Sequence, residues 1–246
     1  MFGLTWLQFL LLALAAIIIG FGKTGITGAT LPAVALVAYI FGGKVSSGIM
    51  LSALIIADIP AIYHYGKDGK LKDVFRVLLP AVLGIVLGSI VGNYLDDRQF
   101  KNLMAIIVIL CVIILIYREF INKDLQVPQS KWFHYIVGII AGFSSMVGNA
   151  AGPVMSVYLL SLSFMRQRFL GTAAWFFFFV NLIKVPLHIF IWGTISLSTL
   201  KYTAVMIPFI LLGAFIGVAF IKKINEKIFK WLIIIVTIIA AIRLMF

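Results

Sequence analysis

Two stretches hold the residues best suited to chemistry. GFGKTGITGATLP, positions 20–32, interleaves Gly22, Gly25 and Gly28 with Lys23, Thr24, Thr27 and Thr30 and ends on Pro32. GFSSMVGNAAGP, positions 142–153, repeats the design with Ser144, Ser145, Gly148 and Asn149 and ends on Pro153. Glycines let backbone amides approach a ligand closely, and a helix that starts in such a turn aims free N–H groups and the positive end of its dipole at whatever lies there. An oxyanion is the natural guest. The candidate binding set is therefore Lys23, Thr24, Gly25, Thr27 and Gly28 from the first stretch, with Ser144, Ser145, Gly148 and Asn149 from the second. A plainer reading competes: small residues permit close helix packing, and hydroxyls bond back to their own helices.

Charges inside apolar stretches come next, because each costs several kcal/mol unless paired or hydrated. Asp58 and Lys184 each stand two residues before a proline, in Asp58-Ile59-Pro60 and Lys184-Val185-Pro186. Two roles stay open. They could bridge one another, or Lys184 could attract an anion while Asp58 titrates as a coupling group. His188, one turn past Lys184, is a donor to substrate or a titrating group. His64, between Tyr63 and Tyr65, reads as interfacial. Neither histidine has the spacing of a metal site, Cys111 stands alone, and no cofactor is expected. The aromatic run 175–179 reads as lipid- or core-facing bulk, and Asn181 as a bond across helices or to a ligand. Gly84, Gly88 and Gly92, matched in part by Gly213 and Gly217, read as a packing face.

The elements that position these residues must be membrane helices. Apolar residues make up 63% of the chain and charged residues 11%, and the apolar runs are continuous instead of alternating, which excludes a barrel. The expected fold is an all-α polytopic membrane protein. Ten apolar segments run over 4–22, 27–42, 45–65, 74–94, 102–117, 133–148, 151–164, 170–192, 200–221 and 228–245. The second, sixth and seventh are short, so broken or re-entrant helices are expected at the Gly/Pro motifs.

The chain also matches itself. Asp58-Ile59-Pro60 faces Lys184-Val185-Pro186, Leu79-Pro80 faces Ile207-Pro208, and Phe100-Lys101 faces Phe229-Lys230. One membrane domain of two repeats follows, 1–117 and 132–246, each of about five segments, joined by a cytoplasmic linker over 118–131. Lys and Arg concentrate in loops after odd-numbered segments, at Lys67, Lys70, Lys72, Arg76, Arg118, Lys123, Arg166 and Arg168 among others. Those loops are expected in the cytoplasm and both termini outside. Equivalent loops differ in charge, as inverted topology requires: 67–73 is basic, whereas its partner 193–198 is neutral.

The paired Gly-rich, Pro-ended stretches, the internal duplication and the short basic loops together resemble the TauE/SafE family of sulfite and organosulfur-anion exporters. The resemblance spans nearly the whole chain, with Ser144-Ser145-Met146 departing where the second motif would carry more glycine. It implies transport of sulfite, sulfoacetate or a related sulfonate; the two inverted halves add the expectation of outward secondary transport by alternating access, and Asp58, Lys184 and His188 that of a cavity charge open to proton coupling.

Other classes are weaker. The net charge of +12 falls in short loops beside apolar spans, where topology and anionic lipid account for it without nucleic acid. An intramembrane phosphatase would need carboxylates, arginines or metal ligands clustered at the motifs, and neither motif holds an arginine. No P-loop is present, so transport must draw on a gradient. A passive anion channel would use the same positive turns. The expected partners are a small anion and the surrounding lipid, with a homodimer left open. The expected location is a prokaryotic inner membrane, since no targeting segment is visible.

Overall fold

The structure is a computed structural model that describes residues 3–25, 29–117, 131–162 and 166–220. Within them the chain forms helices and no strand. In order these are α1 (Trp6–Thr24), α2 (Leu31–Phe41), α3 (Gly43–Tyr65), α4 (Leu71–Tyr94), α5 (Asp97–Ile116), α6 (Lys131–Gly148), α7 (Gly152–Ser161), α8 (Arg166–Phe190) and α9 (Leu197–Phe220). The tenth apolar segment and nearly all of the linker lie outside the described residues, as do Thr27 and Gly28. Helices α1, α3, α4, α8 and α9 are each long and apolar enough to cross a bilayer. The fold is thus polytopic and all-helical, as expected from composition.

Helices α2 and α7 have 11 and 10 residues. At about 1.5 Å per residue each reaches about 16 Å, half the hydrocarbon thickness. Helix α2 starts where Pro32 sits in the first turn, a position that lacks an intrahelical N–H partner in any case. Gly42, at φ 86°, then turns the chain directly into α3. Helix α3 has no side-chain cap of its own. Asp97, at the start of α5, supplies one by accepting from Gly43 N at 2.9 Å, while Lys101 closes on the same carboxylate at 3.0 Å. Pro60, Pro80, Pro186 and Pro208 lie inside α3, α4, α8 and α9, and all four helices continue through them.

First-half helices pack on second-half helices. Helix α1 lies along α9, α4 lies along α6, and α3 and α8 meet at the centre. The first two contacts are glycine contacts of the same kind. Gly20 sits on the Ile210 carbonyl and Gly213 on the Ile17 carbonyl, while Gly84 sits on the Ile139 carbonyl and Gly142 on the Ala81 carbonyl. At each of the four a Cβ would collide with backbone, so the approach depends on its absence.

Two ends can be told apart. Trp175 Nε1 donates to Gly66 O at 3.0 Å and Lys70 N donates to Thr172 Oγ1 at 3.0 Å. These bonds gather the α3–α4 turn and the start of α8 at a basic end that carries Lys67, Lys70, Lys72, Arg76 and Arg168. The α2–α3, α4–α5 and α8–α9 turns form the opposite end.

Glycine at the crossings has a measurable cost when replaced. Gly142→Ala should destabilise the detergent-solubilised protein by roughly 1–3 kcal/mol, because the inserted methyl meets backbone that cannot yield. Gly148→Ala, whose added carbon would find neighbours no closer than 3.5 Å, should shift stability by less than about 0.5 kcal/mol. Thermal unfolding midpoints of the two variants check the contrast.

Candidate functional site

Lys23 stands in the last turn of α1, and its Nζ lies 2.6 Å from Asp58 Oδ1 on α3. The ammonium also faces the Phe177 ring, 4.4 Å from its centroid, an arrangement in which the ring's negative face helps hold a desolvated cation. Asp58 is fully buried, and its second oxygen accepts from Asn181 Nδ2 of α8 at 2.7 Å. Both carboxylate oxygens are therefore engaged, as a charge at this depth requires.

Asp58 does not bridge to Lys184. The Lys184 ammonium turns instead to the end of α6, where it donates to Ser145 O at 3.0 Å, Ser145 Oγ at 3.0 Å and Asn149 Oδ1 at 2.7 Å. All three donors are used, all on neutral acceptors, and no carboxylate among the described residues pairs with it. Asn149 can reach because its backbone is left-handed, at φ 49°, a conformation asparagine tolerates better than most residues. Its oxygen must face the ammonium, since the amide nitrogen would set donor against donor; that nitrogen donates instead to Ser47 O at 3.3 Å.

Between these two clusters lies a hollow with a free volume of ≈30 Å³, enough for a guest of a few atoms. Lys23, Thr30, Ser145, Asn149 and Asn181 give it a polar side, and Leu54, Leu170 and Phe177 an apolar one. Two short helices begin on its wall: Thr30 stands immediately before α2, and Ala151 and Gly152 open α7. Both dipoles thus present their positive ends to the same space. Gly22 allows the first to come so near, because a Cβ there would meet Thr30 Cγ2 at 2.8 Å. The Tyr65 hydroxyl fixes the end of α1 by donating to Thr24 O at 2.9 Å.

At their formal charges Lys23, Lys184 and Asp58 sum to one positive charge. That sum and the two helix N-termini beside it favour a negative guest over a positive one on electrostatic grounds.

Of the residues singled out in the sequence, Lys23, Ser145 and Asn149 line this hollow, while Asp58 and Lys184 hold them in place. Two hydroxyls turn elsewhere. Thr24 Oγ1 bonds Gly20 O at 3.1 Å and Ala214 O at 3.0 Å, tying α1 to α9. Ser144 Oγ bonds Ile140 O at 2.7 Å on its own helix. Gly25 and Gly148 flank the hollow without lining it. His188 lies beyond Lys184 with Nδ1 2.8 Å from Thr194 Oγ1. Among the described residues no cluster of metal ligands occurs.

Phe177 and Asn181 are lining residues that composition alone had assigned to bulk and to an undecided polar bond. A signal for them exists: Phe177, Asn181, Lys184 and His188 recur every three or four residues and so share one face of α8.

A family model described as sulfite exporter TauE/SafE matches residues 9–244. The chain belongs to the sulfite exporter TauE/SafE family. That family is one of transporters, not enzymes. No curated protein and no solved structure matches the chain.

The ion pair inside this TauE/SafE site can be tested by halves. Asp58→Asn leaves the Lys23 ammonium buried beside a neutral group and should cost about 3–5 kcal/mol of stability. Removing both charges, in Lys23→Met with Asp58→Leu, should recover most of that loss while leaving the protein unable to transport. Thermal unfolding of the single and double variants distinguishes a coupled pair from two independent residues.

Proposed function

We propose that this chain is a secondary transporter that moves a small sulfur-containing anion, such as sulfite, sulfoacetate or a related sulfonate, outward across a prokaryotic inner membrane. The observation that carries this reading is the surplus ammonium of Lys184 set beside a hollow that two helix N-termini also face. Family membership narrows the anion to the sulfur class.

In this reading Lys23 and the α2 start bind the anion's oxygens from one side, and Ser145, Asn149 and the α7 start bind them from the other. Asp58, Lys184 and His188 set the charge of the cavity, and a proton taken up or released among them couples transport to a pH gradient. Residues 1–117 and 132–246 act as two inverted halves joined by the linker, with α2 and α7 as re-entrant half-helices. Helix α3 ends at the basic end where its counterpart α8 begins, which supports the inversion, and two observations support the duplication. The α1–α9 contact is matched by the α6–α4 contact, glycine for glycine. Lys23 meets Asp58 in one half, and at the corresponding positions Ser145 meets Lys184 in the other. The basic end faces the cytoplasm, both termini lie outside, and the contacts of the chain are with the anion and with lipid, in a monomer or homodimer and without nucleic acid.

Purified protein in proteoliposomes should take up labelled sulfite saturably, faster with a pH gradient than without. Lys184→Met, which removes a charge without stranding a carboxylate, should weaken apparent affinity by about 2–3 kcal/mol, roughly 30- to 150-fold. Flux that rises linearly with sulfite and carries an ohmic current would show a channel instead. Wild-type affinity in Lys184→Met would remove the surplus charge from the mechanism.

A further inference from the structure

Beyond the hollow, the same face of α8 continues to a polar group that does not line it. His188, one helical turn past Lys184 toward the opposite end, is fully buried, and its Nε2 has no hydrogen-bond partner. Ser89 Oγ on α4 is also buried and without a partner. One indole lies against both residues. The Trp192 ring centroid is 4.9 Å from that of His188, and Trp192 Nε1 donates to Ser89 O at 3.0 Å. Polar atoms left unpaired in such an interior cost free energy unless something visits them.

We propose that His188 and Ser89 form a second, transient anion station between the central hollow and the opposite face, with Trp192 as the plug that closes it in this conformation. The proposal rests on the transporter reading and adds the path by which the anion leaves. Thr194 Oγ1 has two acceptors within reach, His188 Nδ1 at 2.8 Å and His188 O at 3.4 Å. The station uses the tautomer in which the Thr194 hydroxyl donates to Nδ1, so that Nε2 carries the ring proton and is a free donor. Four residues of helix separate it from Lys184, about 6 Å, a short step for an anion handed from one donor to the next.

The surroundings show which side is shut. Asn149 Nδ2 is bonded to Ser47 O, and the Thr194 backbone lies so near Gly48 that a Cβ there would meet Thr194 C at 2.7 Å. These contacts join the first turns of α3 to the end of α6 and to the α8–α9 turn, on the side of the hollow toward the opposite end. Gly193, at φ 61°, reverses the chain so that Thr194 folds back over His188. Toward the basic end the hollow instead extends along α8 to Leu170, near the start of that helix. In this proposal an anion held by Lys23 and Ser145 leaves toward the opposite face by way of His188, once Trp192 swings aside.

Two measurements on the reconstituted full chain test this. His188→Ala should lower sulfite turnover about tenfold or more, while equilibrium binding of labelled sulfite to the purified protein stays within about twofold of wild type. His188→Gln, whose amide N–H reaches the place of Nε2, should recover most of the turnover. Wild-type turnover in His188→Ala, parallel loss of turnover and binding, or no recovery with Gln would each overturn the station. For the plug, Ser47→Cys in a Cys111→Ala background should resist a membrane-impermeant maleimide added from the opposite face. Adding Trp192→Ala should make it react; continued protection would overturn the plug. Lys184→Met reports separately on the central site, since binding that survives there sinks the hollow and leaves the station standing.

Discussion

An ammonium group buried at membrane depth must be neutralised or surrounded by acceptors, and Lys184 has only the second. The end of α6 is built to meet that need: a carbonyl and a hydroxyl from Ser145 and the amide oxygen of Asn149, the last delivered by a left-handed turn. These acceptors satisfy the three N–H groups but leave the charge itself uncancelled. At formal charges Lys23 and Asp58 cancel one another, which leaves Lys184 and the starts of α2 and α7 as the positive groups around the hollow. An anion that enters completes the balance. The same contacts join α1 to α3, α3 to α8 and α8 to α6, so one set of buried polar groups holds four helices together.

The frame around this centre is made by close backbone contact. Without a hydrophobic drive between helices in lipid, association depends on van der Waals approach, and glycine allows the nearest approach. Each half contributes its first helix to the other half's fourth: α1 to α9 and α6 to α4. The charged centre lies between these two tight pairs, on α3 and α8. Movement of one pair against the other would alter the hollow without breaking either glycine contact.

Much of this was legible in the sequence, for reasons that belong to particular residues. A lysine or aspartate in an apolar run is conspicuous because it is costly, so Lys23, Asp58 and Lys184 could be named before any coordinates. Their partners could not. Asp58 and Lys184 occupy matching positions and invite a bridge, yet Asp58 meets Lys23, because the end of α1 reaches α3 while Lys184 is taken by α6. Hydroxyls were the weakest guide. Thr24 and Ser145 look alike in sequence, but the first serves the α1–α9 contact and the second lines the hollow, a difference decided by helix rotation. Phe177 was hidden among neighbouring aromatics that periodicity along α8 would have separated.

The most direct test of the surplus-charge hollow is an anomalous difference map from crystals soaked in selenite, a heavier analogue of sulfite. The account predicts a selenium peak between the end of α1 and the end of α6, with oxygens in hydrogen-bond reach of Lys23 and Ser145. Peaks confined to the lipid-facing surface or to the basic loops, with the hollow filled only by side chains, would contradict it.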